Sequence, residues 1–309
     1  GSLAPCFLMS PLSAAQYLDP EMGGAGPFFD LIVFDEASQI PPWDALGALA
    51  RGRQAVVVGD SRQLPPTSFF QRLEGEEEPA VEEQLEDLES ILEECEAAAV
   101  PSLALRWHFR SRHESLISFS NHHYYENRLI VLPSPERSRE RLGVALRRVP
   151  DAVYGKGGSR TSRREAEEVA AEIVRRLLDP AESRRSLGVV TFNIAQQRLV
   201  EDLLDQARRE RPELEPFFSE EAPEPVFVKN LENVQGDERD VILFSVCYGP
   251  DPSGKVSMNF GPLNRKGGER RLNVAVTRAR EQVLIFTSLS ADLIDLSRTD
   301  ALGVRHLRD

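Results

Sequence analysis

Two short apolar runs, each stopping abruptly at a carboxylate, constrain this chain more than any other feature. Leu31-Ile32-Val33-Phe34 runs straight into Asp35-Glu36, and Ala55-Val56-Val57-Val58-Gly59 runs into Asp60. An apolar run without alternation is the pattern of a parallel strand covered on both faces. Open α/β sheets hold ligands beyond the carboxyl ends of such strands, so both runs predict polar groups presented at one sheet edge. A helix from about Pro42 to Arg51 lies between them, and strand, helix and strand in that order predict a right-handed parallel crossover. Asp35 is a hard oxygen donor suited to Mg²⁺, and Glu36 beside it can polarise a water. The same pair also reads as a solvated acidic turn.

The remaining chain repeats this layered pattern. With 309 residues there is room for two α/β domains, expected at 1–102 and 103–309. Cys6 to Ser10 reads as a short buried strand and Pro11 to Leu18 as a short helix. Val81, Leu85, Leu88, Leu92 and Cys95 form one apolar stripe on an otherwise charged helix over about 80–97. Beyond Leu103, strands are expected at Leu187–Phe192, Val226–Lys229, Val241–Val246 and Val283–Thr287. Helical patterns fall at Ser162–Leu178, Ala195–Arg209 and Arg271–Arg280, and 133–141 and 210–225 read as exposed loops.

Net charge argues less against a nucleic-acid partner than its value of −13 suggests. Twelve acidic and no basic residues lie between Glu74 and Glu96, so the other parts sum to about −1 and are rich in arginine. Cys6, Cys95 and Cys247 are scattered singly, which suggests neither a metal spacing nor a disulfide framework and fits a reducing cytoplasm. No apolar run approaches the length of a membrane span.

Asp35-Glu36-Ala37-Ser38 and Gly59-Asp60-Ser61-Arg62-Gln63-Leu64-Pro65-Pro66 resemble motifs II and III of superfamily 1 helicases. Leu105-Arg106-Trp107-His108-Phe109-Arg110 resembles motif IV, and Gly188 to Asn193 followed by Gln196 resembles the element between motifs IV and V. Gln235-Gly236-Asp237-Glu238 resembles motif V, with Asn230 and Glu232 where the family has Thr and Asp. Arg270 to Arg280, Arg-Arg-Leu-Asn-Val-Ala-Val-Thr-Arg-Ala-Arg, resembles motif VI, with Arg271, Ala275 and Arg278 on one helical face. The order is that of the family and spans nearly the whole chain. The wording is most like large bacterial helicase-like proteins of the 5′-to-3′ branch, distant relatives of the nonsense-mediated-decay RNA helicase.

The resemblance implies two RecA-like parallel-sheet domains, the first incomplete, with ATP–Mg²⁺ hydrolysed between them and movement along single-stranded DNA or RNA. It implies that Asp35 holds Mg²⁺, Glu36 orients the attacking water and Gln63 senses the γ-phosphate. Arg110 and Arg278 would neutralise charge on the transferred phosphoryl, while Gly59, Asp60, Gln235, Gly236, Glu238 and Arg271 would line the nucleotide. Arg62, Pro65, Thr67, Arg112 and Asn230 are the candidate nucleic-acid contacts. A phosphate loop, Gly-x-x-x-x-Gly-Lys-Ser/Thr, is missing: the four lysines are Lys156, Lys229, Lys255 and Lys266, none followed by Ser or Thr. The expectation is therefore a motor portion whose phosphate loop lies upstream in a longer parent, inactive on its own. The alternative is a helicase-like binding or assembly module that does not hydrolyse ATP.

Overall fold

The computed structural model describes residues 6–19, 26–66, 90–135 and 141–309, and the chain divides into two units between Ala104 and Leu105. Thr67 and the stripe positions Val81, Leu85 and Leu88 lie outside the described residues.

In the first unit β1 (Ile32–Phe34) pairs in parallel with β2 (Ala55–Val57), with Val33 opposite Val56. Helix α1 (Pro11–Tyr17) starts where Ser10 accepts a hydrogen bond from the Ser13 amide at 3.1 Å and Pro11 supplies a preset φ. Helix α2 (Pro42–Leu49) also opens on a proline, and α3 (Ile91–Ala97) is capped by Ser90. Ala14, Leu18, Phe34, Ala37, Ala45, Ala48 and Ile91 form the buried centre. Buried Arg51 ties α1 to α2, its Nε and Nη2 donating to the Leu18 carbonyl at 3.1 and 2.7 Å.

Two expectations fail here. The strands are not covered on both faces among the described residues: burial alternates along β1, and Val33 and Val56 are exposed, because the core gathers on the Phe34 side alone. Residues 6–10 form no strand; no described strand lies beside them to share a ladder, Leu8 is 96% exposed, and Ser10 is taken up in capping.

The second unit holds five parallel strands in the order β5-β9-β8-β6-β7, namely β5 (Gly143–Arg148), β6 (Leu187–Thr191), β7 (Phe227–Asn230), β8 (Arg239–Ser245) and β9 (Ala279–Thr287). A separate parallel pair, β3 (Trp107–His108) and β4 (Ile130–Val131), flanks helix α4 (Ser115–His123). All of β6 is buried, as its unbroken apolar sequence requires. A Cβ at Gly188 would meet the Phe227 ring at 2.5 Å, so this position admits only glycine without repacking. The long amphipathic helices α5 (Arg163–Leu178) and α6 (Ile194–Glu210) bury Val169, Ile173, Val200 and Leu204 against the sheet. Leu214, in the segment expected to be exposed loop, is buried in a short 3₁₀ turn, Pro212–Phe217.

Helix α7 (Gly268–Val276) is shorter than its sequence pattern predicts, and Arg278 lies beyond it rather than on the face of Arg271 and Ala275. The stop is local chemistry. Thr277 Oγ1 donates to the carbonyls of Asn273 and Val274 at 3.0 and 2.9 Å, and Arg278 Nε to that of Val274 at 2.8 Å. The last carbonyls of the helix are thus satisfied by side chains, and β9 begins at once. A last helix, α8 (Leu302–Arg308), packs on α7, where Gly303 lets the backbones of Leu263 and Gly268 approach closely.

Candidate functional site

In the first unit the carboxyl ends of β1 and β2 present the expected polar groups side by side. Phe34 and Val58 are joined by a backbone hydrogen bond of 2.8 Å, and Ala37 N donates to Val58 O at 2.9 Å. Asp35 and Glu36 are exposed just beyond β1. Glu36 sits in the left-handed region at φ 52°, a conformation costly for a residue with a side chain, and its amide donates to Asp35 Oδ1 at 3.0 Å. That bond uses one oxygen of the exposed Asp35 carboxylate. At the end of β2 the carboxylate of Asp60 organises the turn, accepting from Arg62 N at 2.9 Å and Gln63 Nε2 at 3.1 Å. Gly59 lets the end of β2 approach the turn after β1 closely, since a Cβ there would lie 3.0 Å from Ser38 N.

A cation placed here would meet the exposed carboxylates of Asp35 and Glu36. Among the described residues no group of three or more His, Cys, Asp or Glu side chains can cage a metal. That donor set fits Mg²⁺, which usually takes one or two carboxylates and completes its shell with water and substrate phosphates.

In the second unit the arginines gather at the opposite, amino-terminal edge of the sheet. Arg110 Nε pairs with Glu238 Oε2 at 2.7 Å, and its Nη1 lies 3.4 Å from the Thr277 carbonyl. The turn that carries it is closed by His108, whose Nε2 accepts from Ser111 N at 3.2 Å. Arg278 precedes β9 and is 4% exposed, with Nη2 donating to Thr277 Oγ1 at 3.1 Å. Arg239 N donates to Arg278 O, which locks the start of β8 to the same edge. Residues 128 to 168 positions apart in sequence therefore meet at one rim.

An AAA domain family model matches residues 87–290, two thirds of the chain. This chain is a superfamily 1 helicase-like member of that family. An uncharacterized ATP-dependent helicase of Mycoplasma pneumoniae, the MG140 homolog, is 34% identical over 292 residues, covering 90% of this chain and 25% of that protein. The Mycoplasma genitalium protein MG140 is 33% identical over 318 residues, 99% of this chain and 27% of its own length. The chicken DNA replication ATP-dependent helicase/nuclease DNA2 is 26% identical over 83% of the chain. The chain spans about a quarter of the length of these relatives.

The helicase-like chain distributes its other sequence-expected residues unevenly. Gln235 and Gly236, with φ +86°, lie in the turn just before Glu238. Arg271 is 1% exposed inside α7, its Nη2 3.6 Å from Glu232 Oε1. Arg62 is exposed, whereas Pro65 is buried and presents no surface to a strand. Arg112 and Asn230 do not form one patch: Arg112 N donates to Arg280 O at the amino-terminal rim, while Asn230 ends β7 at the carboxyl-terminal rim. Asn230 is also turned inward, donating to Gln197 Oε1 at 3.0 Å and accepting from Glu232 N at 2.8 Å. Gln196 is fully buried, donating to Ser162 O and Ser245 Oγ, and acts as a structural clasp.

Sequence reasoning missed two residues. Glu165, inside the helical pattern Ser162–Leu178, is completely buried, and its Oε1 accepts from Ser245 Oγ at 2.8 Å and Cys247 N at 2.7 Å. Burial raises its carboxyl to about 7 against these two hydrogen bonds. Arg280 is the second, and only the spacing Arg278-Ala279-Arg280 hinted at it. Its partners lie in three distant segments.

Proposed function

We propose that this chain is the carboxyl-side portion of an ATP-driven motor that translocates along single-stranded DNA or RNA, with ATP hydrolysed by groups from both units. The observation that carries this reading is the convergence of Arg110, Glu238 and Arg278 on one rim of the second sheet. A cluster of that kind, exposed at Arg110, suits a polyphosphate better than any neutral ligand. The relatives named ATP-dependent helicases support the same assignment.

On this reading the Asp35 carboxylate would hold Mg²⁺, which when bound would neutralise phosphate charge. Glu36 polarises the attacking water, and its strained backbone keeps the carboxylate at the strand end. Gln63, tethered by Asp60, reports the presence of the γ-phosphate to the segment that follows. Arg110 and Arg278 stabilise charge developing on the transferred group, a contribution worth roughly 10³- to 10⁵-fold for arginine fingers. The phosphate-binding lysine is supplied by residues outside these 309. Strand contacts are mainly to the backbone, so binding weakens as salt rises.

The test is steady-state ATP turnover by the parent polypeptide and by this chain, with and without single-stranded DNA or RNA. Turnover by the parent should be stimulated by the strand and abolished in Glu36→Gln, and this chain alone should not exceed its own Glu36→Gln control. Wild-type turnover in the Glu36→Gln parent would sink the assignment and favour a non-hydrolysing nucleic-acid-binding module.

A further inference from the structure

Arg280, the second residue of β9, is held by four side chains from three other segments. Its Nε donates to Asp240 Oδ1 at 2.9 Å, and Nη1 to Glu224 Oε1 at 2.8 Å and Glu238 Oε1 at 3.4 Å. Nη2 donates to Ser186 Oγ at 3.0 Å and to the second oxygen of Glu224. Ser186 stands just before β6, Glu224 in the loop before β7, and Glu238 and Asp240 at the start of β8. A guanidinium is a rigid planar fork, so partners on all three nitrogens fix its plane as well as its charge.

Glu238 is shared between two arginines. One oxygen faces Arg280, and the other takes Arg110 through Nε. Gripping Arg110 by Nε leaves its two terminal nitrogens at the far end of the fork. Nη1 makes only the 3.4 Å contact with Thr277 O, and Nη2 has no hydrogen-bond partner among the described residues. The backbone reinforces the arrangement, since Arg112 N donates to Arg280 O at 2.7 Å and so ties the segment carrying Arg110 to β9.

We propose that Arg280 is a positioning residue for Arg110: through Glu238 it sets the plane of the Arg110 guanidinium and aims its terminal nitrogens outward, toward a phosphoryl group. The catalytic half of this statement rests on the proposed hydrolysis of ATP; the geometric half does not. The side chains of Arg110 and Glu238 are 37% and 39% exposed, so their pair adds little to stability. Its effect is on geometry, where a misplacement of about 1 Å lowers rates up to about 10²-fold.

Two readouts separate the halves. In this chain, the Arg110 Nε–H proton should give a distinct, slowly exchanging ¹⁵N-correlated resonance that collapses into the solvent-exposed arginine envelope in both Glu238→Gln and Arg280→Gln. A resonance that survives Arg280→Gln overturns the relay whether or not the parent hydrolyses ATP. In the parent, Arg280→Gln should lower kcat about 10- to 10²-fold with little change in KM, and Arg280→Lys, which keeps the charge but lacks the fork, should not restore it. Placed in an Arg110→Ala background, Arg280→Gln should have no further effect on kcat. An equal loss in both backgrounds would make Arg280 merely structural and overturn the proposal. Should Arg280→Gln fail to fold, Glu238→Gln cuts the same relay at its middle and must show the same dependence on Arg110. If Arg110→Ala turns over ATP at the wild-type rate, the catalytic reading of Arg110 falls, while the resonance still decides the relay.

Discussion

Replacing Glu165 by Gln should stabilise the second unit at pH 8 and not at pH 5. The carboxyl is completely buried between the start of α5 and the end of β8, and Oε2 has no hydrogen-bond partner among the described residues. Its folded value of about 7 exceeds the ordinary 4.5 because burial disfavours the anion. Between those two values the folded chain binds a proton that the unfolded chain has released, so stability falls as pH rises through this window. At about 1.36 kcal/mol per unit, the full crossing amounts to about 3 kcal/mol. Gln keeps an acceptor for Ser245 and Cys247 and never ionises, so the wild-type loss is absent from the variant. Buried His306 titrates in the opposite sense, its value lowered by burial and by His123, but it is common to both proteins and cancels in their difference. The chain has two tryptophans, Trp43 in the first unit and Trp107 in the second, so urea unfolding in a Trp43→Phe background can be followed by Trp107 emission. The Gln variant should gain about 2–3 kcal/mol on wild type between pH 5 and pH 8. A difference that stays flat within about 0.5 kcal/mol across that range would refute a neutral buried carboxyl.

Two further outcomes follow from packing and charge. Gly188→Ala forces a methyl against the Phe227 ring and Ile242, within 2.5 and 2.9 Å, and should lower stability by about 1–3 kcal/mol in urea titration. Glu172, 6% exposed and bound by Arg175, Arg176 and Arg147, is held down to about 2 by its arginine hydrogen bonds, although burial alone would raise it. Glu172→Gln should therefore cost about 3 kcal/mol at pH 7. That penalty should fade as pH drops from 4.5 toward 2, where the wild-type carboxylate is itself protonated.

What could be read from the residues depended on whether the determining contact was local. β6 and the Val241–Phe244 part of β8 are apolar runs buried on both faces, and α5 and α6 show a clean apolar stripe, so periodicity placed them to within about two residues. β5 escaped because its apolar run, Leu142–Leu146, is short and gives way to Arg147-Arg148, and as an edge strand it is mostly exposed rather than buried on both faces. Arg278 was misplaced on a helix because spacing alone does not reveal that Thr277 and Arg278 would take over the carbonyls of the preceding turn. The adjacent carboxylates of Asp35-Glu36 and the Asp60–Gln63 turn were legible because each is built within four residues. The grip on Arg280 was not, since Ser186, Glu224 and Asp240 reach it across 40 to 94 positions.

The all-parallel order of the second sheet turns its two rims into the ends of a stiff rod. Arg239 and Ser245, the ends of β8, are six residue steps apart, about 20 Å at 3.3 Å per step. No single nucleotide bridges that span, so an event at the arginine rim reaches the Asn230 rim only if the strands carry it as a body. β8 is flanked on both sides by hydrogen-bonded neighbours and buried through its last five residues, which leaves it little room to flex.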